Sequence, residues 1–520
     1  MMHRKLNVEN NTFNYISVNN LDLSKYKEEI EELISLQTGE DKLLYMTIYL
    51  EKNLEIQDIF SNLFYSNNQS TKVNDLIKYY LIYILSLLNK DVMKKNFPTY
   101  PIKNNNIIVS KENPLNMSKK LFQLFFSLLV FSEKDVQMTV LDLLLSYSDM
   151  SSNFIDYCLE DTRYIDKIFN LTYNNNNSIT NSSIMILDNI CICNNCDPDI
   201  LEKLLQQFPI IQRCKELLCN NKYNNEIKIN SLFILETISS KIDDNYLKNY
   251  FFDFIKLFYD IITLQPKNDE IIMIIFKICL KLASDDALII QMKKVGLVDI
   301  FLQYLSIKIL ERDFLISLLK IFGNLFYNDE IIIYFIKDRN GEILKIFITI
   351  INTYLHTLNE KNNEIFTELF FCMSNIACGP TDIKYIISKS EIPKLVEQTL
   401  KIKNNNKIFY EGIYFFNNMI EDCDKETFYN ISECHPFKLY SKGLKDTLEI
   451  KNLELCLSSI LNLISKNLEI YHTIENIRTE FYKSLIQKKI SDLTYHKEKT
   501  ISQKAETILK IFEDKMKMEI

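Results

Sequence analysis

The sequence predicts an all-α chain built as a solenoid of stacked helical repeats. Three observations carry that expectation. The 520 residues include only 7 Gly and 9 Pro while 47% are hydrophobic, a composition poor in tight turns and rich in side chains that pack helices. No linker divides a chain that is too long for one compact core. Finally, one unit is written almost twice: Glu368, Phe371 and Asn375, then Glu411, Tyr414 and Asn418, 43 residues further on.

Each trio sits at i, i+3, i+7 and so lines one face of a helix. An apolar stripe runs beside it, Leu369, Cys372, Met373 and Ile376 in the first copy and Gly412, Phe415, Phe416 and Met419 in the second, and this is the expected core side. Taken in order, residues 1–40 read as a polar and acidic N-terminal segment, with four Lys/Arg against seven acids and a short acidic helix over 24–35. The solenoid is expected from 41 to 520. Its first helices fall at 41–52, 56–65 and 71–89, and an inserted loop with three prolines and an Asn run follows at 97–114.

From there the pattern apolar-apolar-x-Asn-apolar, with weaker copies, can be counted. Its key positions are Ser146, Asn189, Thr237, Lys281, Asn324, Asn375, Asn418 and Asn462, at intervals of 43, 48, 44, 43, 51, 43 and 44. The reading places each near the start of a long helix. The long interval leaves room for a loop at 358–363, and the Asn runs at 174–177 and 404–406 read as exposed loops. Each key helix is followed by a polar turn, a short helix, a small or polar break and an amphipathic helix, as in 284–305 and 379–400. A period of about 40–47 residues with two or three helices is the armadillo/HEAT signature. The expectation is therefore an armadillo-repeat right-handed superhelical solenoid of about nine to ten three-helix repeats, the third helices lining an inner groove.

A net charge of −8 disfavours general nucleic-acid binding and suits a basic partner. The N-terminus lacks the apolar core of a signal peptide, and no 18-residue run is free of charge, so no membrane span is expected. The 12 cysteines fall on apolar faces and read as reduced, buried thiols. Cys191-x-Cys193-x-x-Cys196 departs from paired C-x2-C knuckles and reads as structural rather than metal-binding. Five scattered histidines form no ligand set. No nucleophile–base constellation or Gly-rich phosphate loop appears, so neither an enzyme nor a cofactor is expected.

Over roughly 115–515, most densely from 315 onward, the chain resembles the importin-α family of armadillo adaptors for nuclear import. Inner helices of that family carry a Trp four residues before an Asn, often with a Glu three residues before the Trp; Phe371 and Tyr414 stand at the Trp places. LLKIFGNLFYND resembles the family's sixth repeat, in which a basic residue replaces the Trp, and Lys320 and Asn324 fill those positions. The stretch 496–513 resembles its closing repeat. Departures are equally plain: there is no Trp in the chain, and the family's major site appears as Asp142/Ser146, Met185/Asn189 and Phe233/Thr237. Cys191-Ile192-Cys193 replaces a Gly-Asp turn, Lys277 and Lys281 would repel basic cargo, and 1–40 lacks the Arg-rich segment that binds importin-β.

The resemblance implies that Asn324, Asn375 and Asn418, with Asn189 in the eroded site, grip the backbone of an extended peptide. Phe371 and Tyr414 would wall slots for Lys or Arg stems, worth about 0.5–2 kcal/mol each through cation–π attraction. Glu368 and Glu411 would pair with the cationic heads. Implied partners are basic nuclear-localisation peptides, the export receptor that recycles importin-α and, less readily, importin-β; the implied location is cytoplasm and nucleus, with neither nucleic acid nor membrane. Second readings stay open. The asparagines also suit bonds between neighbouring repeat helices, the rings suit an ordinary core, and the chain also suits an armadillo scaffold unrelated to import.

Overall fold

A computed structural model describes residues 119–129, 134–150, 152–266, 268–307, 311–356, 360–402, 405–444, 449–472 and 486–518. The expectations for 1–40, for the helices between 41 and 89 and for the loop at 97–114 lie outside these residues. The chain forms two compact units, one ending at Asp243 and the other beginning at Asp244. Among the described residues every regular element is helical, and no helix is long and apolar enough to cross a membrane.

In the first unit α1 (Lys119–Leu128) and α2 (Lys134–Met150) precede two full triplets. These are α3 (Ser152–Glu160), α4 (Arg163–Leu171) and α5 (Asn177–Ile192), then α6 (Pro198–Gln207), α7 (Ile210–Cys219) and α8 (Asn225–Lys241). The second unit opens with α9 (Asp244–Phe251), α10 (Phe254–Leu264) and α11 (Asp269–Leu282), followed by α12 (Asp286–Val295), α13 (Leu297–Leu305) and α14 (Arg312–Leu325). Next come α15 (Asp329–Ile333), which runs into a π turn (Tyr334–Asp338), α16 (Glu342–Tyr354) and α17 (Asn363–Ala377). They are followed by α18 (Thr381–Lys389), α19 (Ile392–Ile402) and α20 (Asn406–Ile420), and by α21 (Lys425–Ser432), α22 (Pro436–Gly443) and α23 (Ile450–Tyr471). The unit closes with α24 (Ile486–Leu493) and α25 (Lys499–Met518).

Within each unit a helix packs on its own kind in the next repeat. The third helices make one ladder, α2–α5–α8 in the first unit and α11–α14–α17–α20–α23–α25 in the second. No single repeat could bury its apolar stripe; the stacked pairs do. Between the ladder and the second helices lie aromatic clusters such as Phe276 with Phe301 and Phe314, each 5.3 Å away.

Local sequence explains where helices begin. Asn176, Asn224, Asn268 and Asn405 cap α5, α8, α11 and α20 by accepting from backbone N–H groups two or three residues on. Asp197, Asp285, Asn328 and Asp424 cap the first helices of their repeats in the same way. Each such cap contributes about 1 kcal/mol. The Asn runs expected to be plain loops thus supply helix starts. The break between first and second helices needs a left-handed residue at Gly296 (φ +84°) and Gly341 (φ +67°), which glycine adopts without a Cβ clash.

Second helices are also tied across repeats at their C-terminal ends. Arg213 donates to the Thr172 carbonyl (2.6 Å) just past α4, and Lys442 donates to the Leu400 carbonyl (2.7 Å) in α19. A cation at a helix C-terminus also meets the negative end of the helix dipole.

Two expectations are corrected. Asn189, Asn324, Asn375 and Asn418 lie in the last turn or so of their helices, not near the start, and Asn462 lies mid-way along the longer α23. The apolar face of each ladder helix begins about three turns upstream, with Phe314 and Leu315 in α14 or Ile365 and Phe366 in α17, and the helix extends back to its cap. The loop expected at 358–363 is, where described, a 3-10 turn (Glu360–Asn362) leading into α17.

Candidate functional site

The asparagine series joins neighbouring ladder helices. Asn324 donates its side-chain N–H to the Leu280 carbonyl (3.1 Å), Asn375 to the Gly323 carbonyl (2.9 Å) and Asn418 to the Ser374 carbonyl (2.9 Å). In every case the acceptor is the residue just before the equivalent position of the preceding repeat. These carbonyls need a partner. The amides that would close the helical bond, those of Ser284, Tyr327 and Cys378, bond one residue further on, to Lys281, Asn324 and Asn375. A carbonyl orphaned at a helix end is thus satisfied from the next repeat. Asn375 is buried; Asn324 and Asn418 are half-buried and keep a second N–H and the amide oxygen.

The first unit uses a variant of the same device. The Asn189 amide donates to the Ser148 hydroxyl (2.9 Å), which donates to the Leu145 carbonyl (2.7 Å). Thr237 donates to the Asp188 carboxylate (2.8 Å).

The acids and rings of the second unit share one face of α14, α17 and α20. Phe371 is half-buried, and its ring lies directly over Gly323: a Cβ there would stand 2.6 Å from a ring carbon. Glycine at this position is what lets the ring approach. Tyr327, 69% exposed and 6.2 Å from the Phe371 ring centroid, adds an edge-on wall just beyond α14. Tyr414, 44% exposed, continues the rings on α20.

Charge is distributed unevenly along this face. Lys320 pairs with Glu364 (3.2 Å) and stands 3.9 Å from Glu368, and Arg312 also pairs with Glu364 (2.7 Å). Burial raises the Glu364 carboxyl, but Lys320 and Arg312 outweigh it and hold the group below its usual range. Glu368 is raised by burial, with Lys320 and Lys407 pulling the other way. Glu411 is pushed up to about 7 by burial and then by the charge of Glu368, and among the described residues it has no ion-pair partner.

The structure therefore brings Lys320, Asn324, Glu368, Phe371, Asn375, Glu411, Tyr414 and Asn418 onto successive rungs of one ladder, and leaves Asn189 in the other unit. Tyr327, Arg312, Glu364 and Lys407 belong to the same face and were not expected. Tyr327 was legible only as the aromatic three residues after Asn324, a spacing the other two copies do not share. Lys281, at the equivalent position one repeat earlier, pairs with Asp244 (2.6 Å).

The cysteines hold one surprise. Cys191 and Cys214 are buried, and burial pushes both thiols up, Cys214 to about 12, but Cys219 and Cys378 are exposed rather than buried. Among the described residues no cluster of His, Cys, Asp and Glu is placed to hold a metal.

No protein-family model and no curated protein matches the chain. Solved structures do. An engineered protein aligns over 93% of this chain and 98% of its own at 12% identity, with a TM-score of 0.61. A chain from work on a phosphorylation switch that controls the interaction between cadherin and beta-catenin aligns over 84% of this chain and 80% of its own, again at 12% identity, with a TM-score of 0.55. The fold is that of the armadillo repeats. A designed armadillo repeat protein in complex with the peptide (KR)4 aligns over 48% of this chain and 95% of its own, at 15% identity and a TM-score of 0.39.

Proposed function

We propose that this chain is a non-enzymatic peptide-binding scaffold whose receptor is the α14–α17–α20 face, and that its ligand is an extended segment bearing Lys or Arg. One observation carries the reading: Glu411 lies half-buried beside Glu368, one turn before the exposed Tyr414 on α20, with no cation of its own among the described residues. A carboxylate taken partly out of water beside a like charge is destabilised until a cation arrives. A Lys or Arg stem lying against Tyr414 or Phe371 would supply that cation, with apolar contact and cation–π attraction in addition. Asn324 and Asn418 retain groups that suit a peptide backbone, whereas the Asn375 amide is buried against Gly323 and acts through the rung it fixes.

Within this class, nuclear-localisation peptides and a role as an import adaptor between cytoplasm and nucleus form the finer reading, supported by the importin-α-like placing of Glu368, Phe371, Glu411 and Tyr414. An armadillo scaffold outside import shares the fold and the same face. The test is titration of a labelled nuclear-localisation peptide against the wild type and the Glu368→Gln/Glu411→Gln double variant at low and high salt. Binding that weakens with salt and falls at least tenfold in the variant supports the receptor. Equal binding by the two proteins would remove it. A pull-down with importin-β and with the export receptor then separates import from other scaffolding.

A further inference from the structure

We propose that this receptor face is proton-responsive: the Glu368–Glu411 pair keeps a proton on Glu411 while the face is empty and releases it to solvent when a cationic side chain docks. The inference rests on the receptor reading above and adds its regulation.

The geometry makes the two acids unequal. Glu368 sits on α17 with Lys320 of α14 at 3.9 Å, and Lys407, on the helix of Glu411, also bears on it. Glu411 sits on α20, which packs against α17, and faces Glu368 and the buried, neutral Cys372 thiol. Among the described residues the other helices around α20 place no charge that shifts it, Glu449 at the start of α23 acting on Tyr410 instead. α19 meets α20 with Leu400 against Gly412, and α23 meets it through the uncharged Asn462–Asn417 bond. Lys442 of α22 lies over Phe409, two residues from Glu411 and so on the opposite side of the helix. Glu421, just past the end of α20, stands roughly 15 Å along the axis, and on α21 Lys425 lies over the Tyr471 ring while Glu426 pairs with Lys389.

Lys407 stands four residues before Glu411 on the same helix but acts on Glu368 and not on Glu411, so of the two carboxyls Glu411 is the one that carries a cation deficit. Its ionisation near pH 7 puts the exchange within the physiological range. A docking Lys or Arg favours the ionised form, so binding and proton release are linked. With one proton coupled, affinity falls as pH drops through that value, by about tenfold between pH 8 and pH 6.

Stability carries the opposite sign. The folded carboxyl holds its proton up to about pH 7, whereas the unfolded one releases it near 4.5. In that window the folded chain binds more protons, so Glu411 contributes stability that is present at low pH and lost as pH rises through 7.

The experiment has two arms. In the first, an N-acetylated alternating Lys/Arg octapeptide, which does not titrate between pH 6 and 8, is bound to the full chain at constant ionic strength. The wild type is expected to bind about tenfold more weakly at pH 6 than at pH 8. Glu411→Gln is expected to bind weakly at both, with a ratio below twofold. In the second arm, without peptide, Glu411→Gln is expected to melt higher than the wild type at pH 8 and together with it at pH 5. A wild-type affinity that varies less than twofold overturns the switch and leaves the receptor standing. Absent binding at every pH overturns both, and the melting arm then shows whether the proton is held at all.

Discussion

Ladder helices α5 and α8 in the first unit and α17 and α20 in the second follow one plan, yet their polar side chains are used differently. In the first unit the stripe is closed on itself. Asn181 donates to Glu226 (2.9 Å) and accepts from Asn230 (2.8 Å), Ser182 donates to Asp142 (3.2 Å), and Thr237 donates to Asp188 (2.8 Å). In the second unit the corresponding stripe carries rings that remain partly exposed and an acid without a cation partner among the described residues. The same scaffold therefore supports two outcomes. Where polar groups satisfy one another across repeats, the ladder face is closed; where one charge is left over beside accessible rings, the face is the receptor proposed above.

The most severe way to probe this difference is Gly323→Val. Its side chain would meet the Phe371 ring and force it off Gly323, and overpacking of this kind destabilises by roughly 1–3 kcal/mol. Urea denaturation should show that loss, with peptide affinity falling in parallel. Gly412→Ala should be milder because it adds a single methyl, although that methyl meets the buried Leu400 side chain.

Next in size is Asn375→Ala. It strands the Gly323 carbonyl in a buried setting and should destabilise by about 1–3 kcal/mol. Asn189→Ala should lose under about 1 kcal/mol, because the Ser148 hydroxyl still serves Leu145. Equal losses at the two sites would show that both units rely on the amide to the same degree.

Peptide affinity should separate the units with smaller changes. Tyr414→Ala is expected to weaken binding by roughly three- to tenfold and Tyr327→Ala by about two- to fivefold, with only small changes in melting temperature, since both residues are exposed. Asn181→Ala, on the closed stripe, should leave affinity within about twofold of the wild type; a larger drop would mean that the first unit also binds.

Much of this was legible in the sequence, for identifiable reasons. The repeat was visible because Asn324, Asn375 and Asn418 must recur at one place on each rung if each is to reach a carbonyl on the rung before. The acids and rings were visible because a trio at i, i+3, i+7 shares a helix face whatever surrounds it. The acceptor of each amide was not visible, since it lies 44 or 52 residues away and depends on how a helix end tightens. Nor could the charge balance be read. Lys320 and Glu364 belong to different repeats, and only packing brings them to 3.2 Å, which leaves Glu411 as the unmatched acid. The Asn runs misled because composition treats Asn as loop filler, whereas Asn176 and Asn405 each start a ladder helix.

The amide bridges in the second unit all point the same way, from a later rung back to an earlier one. Trimming that unit from its C-terminal side therefore removes the donor that ties down a helix end on the rung that remains. Trimming from the opposite side frees only an amide that water can serve. Fraying should accordingly have a direction, and fragments made for crystallisation or binding work should tolerate loss of leading modules better than loss of trailing ones.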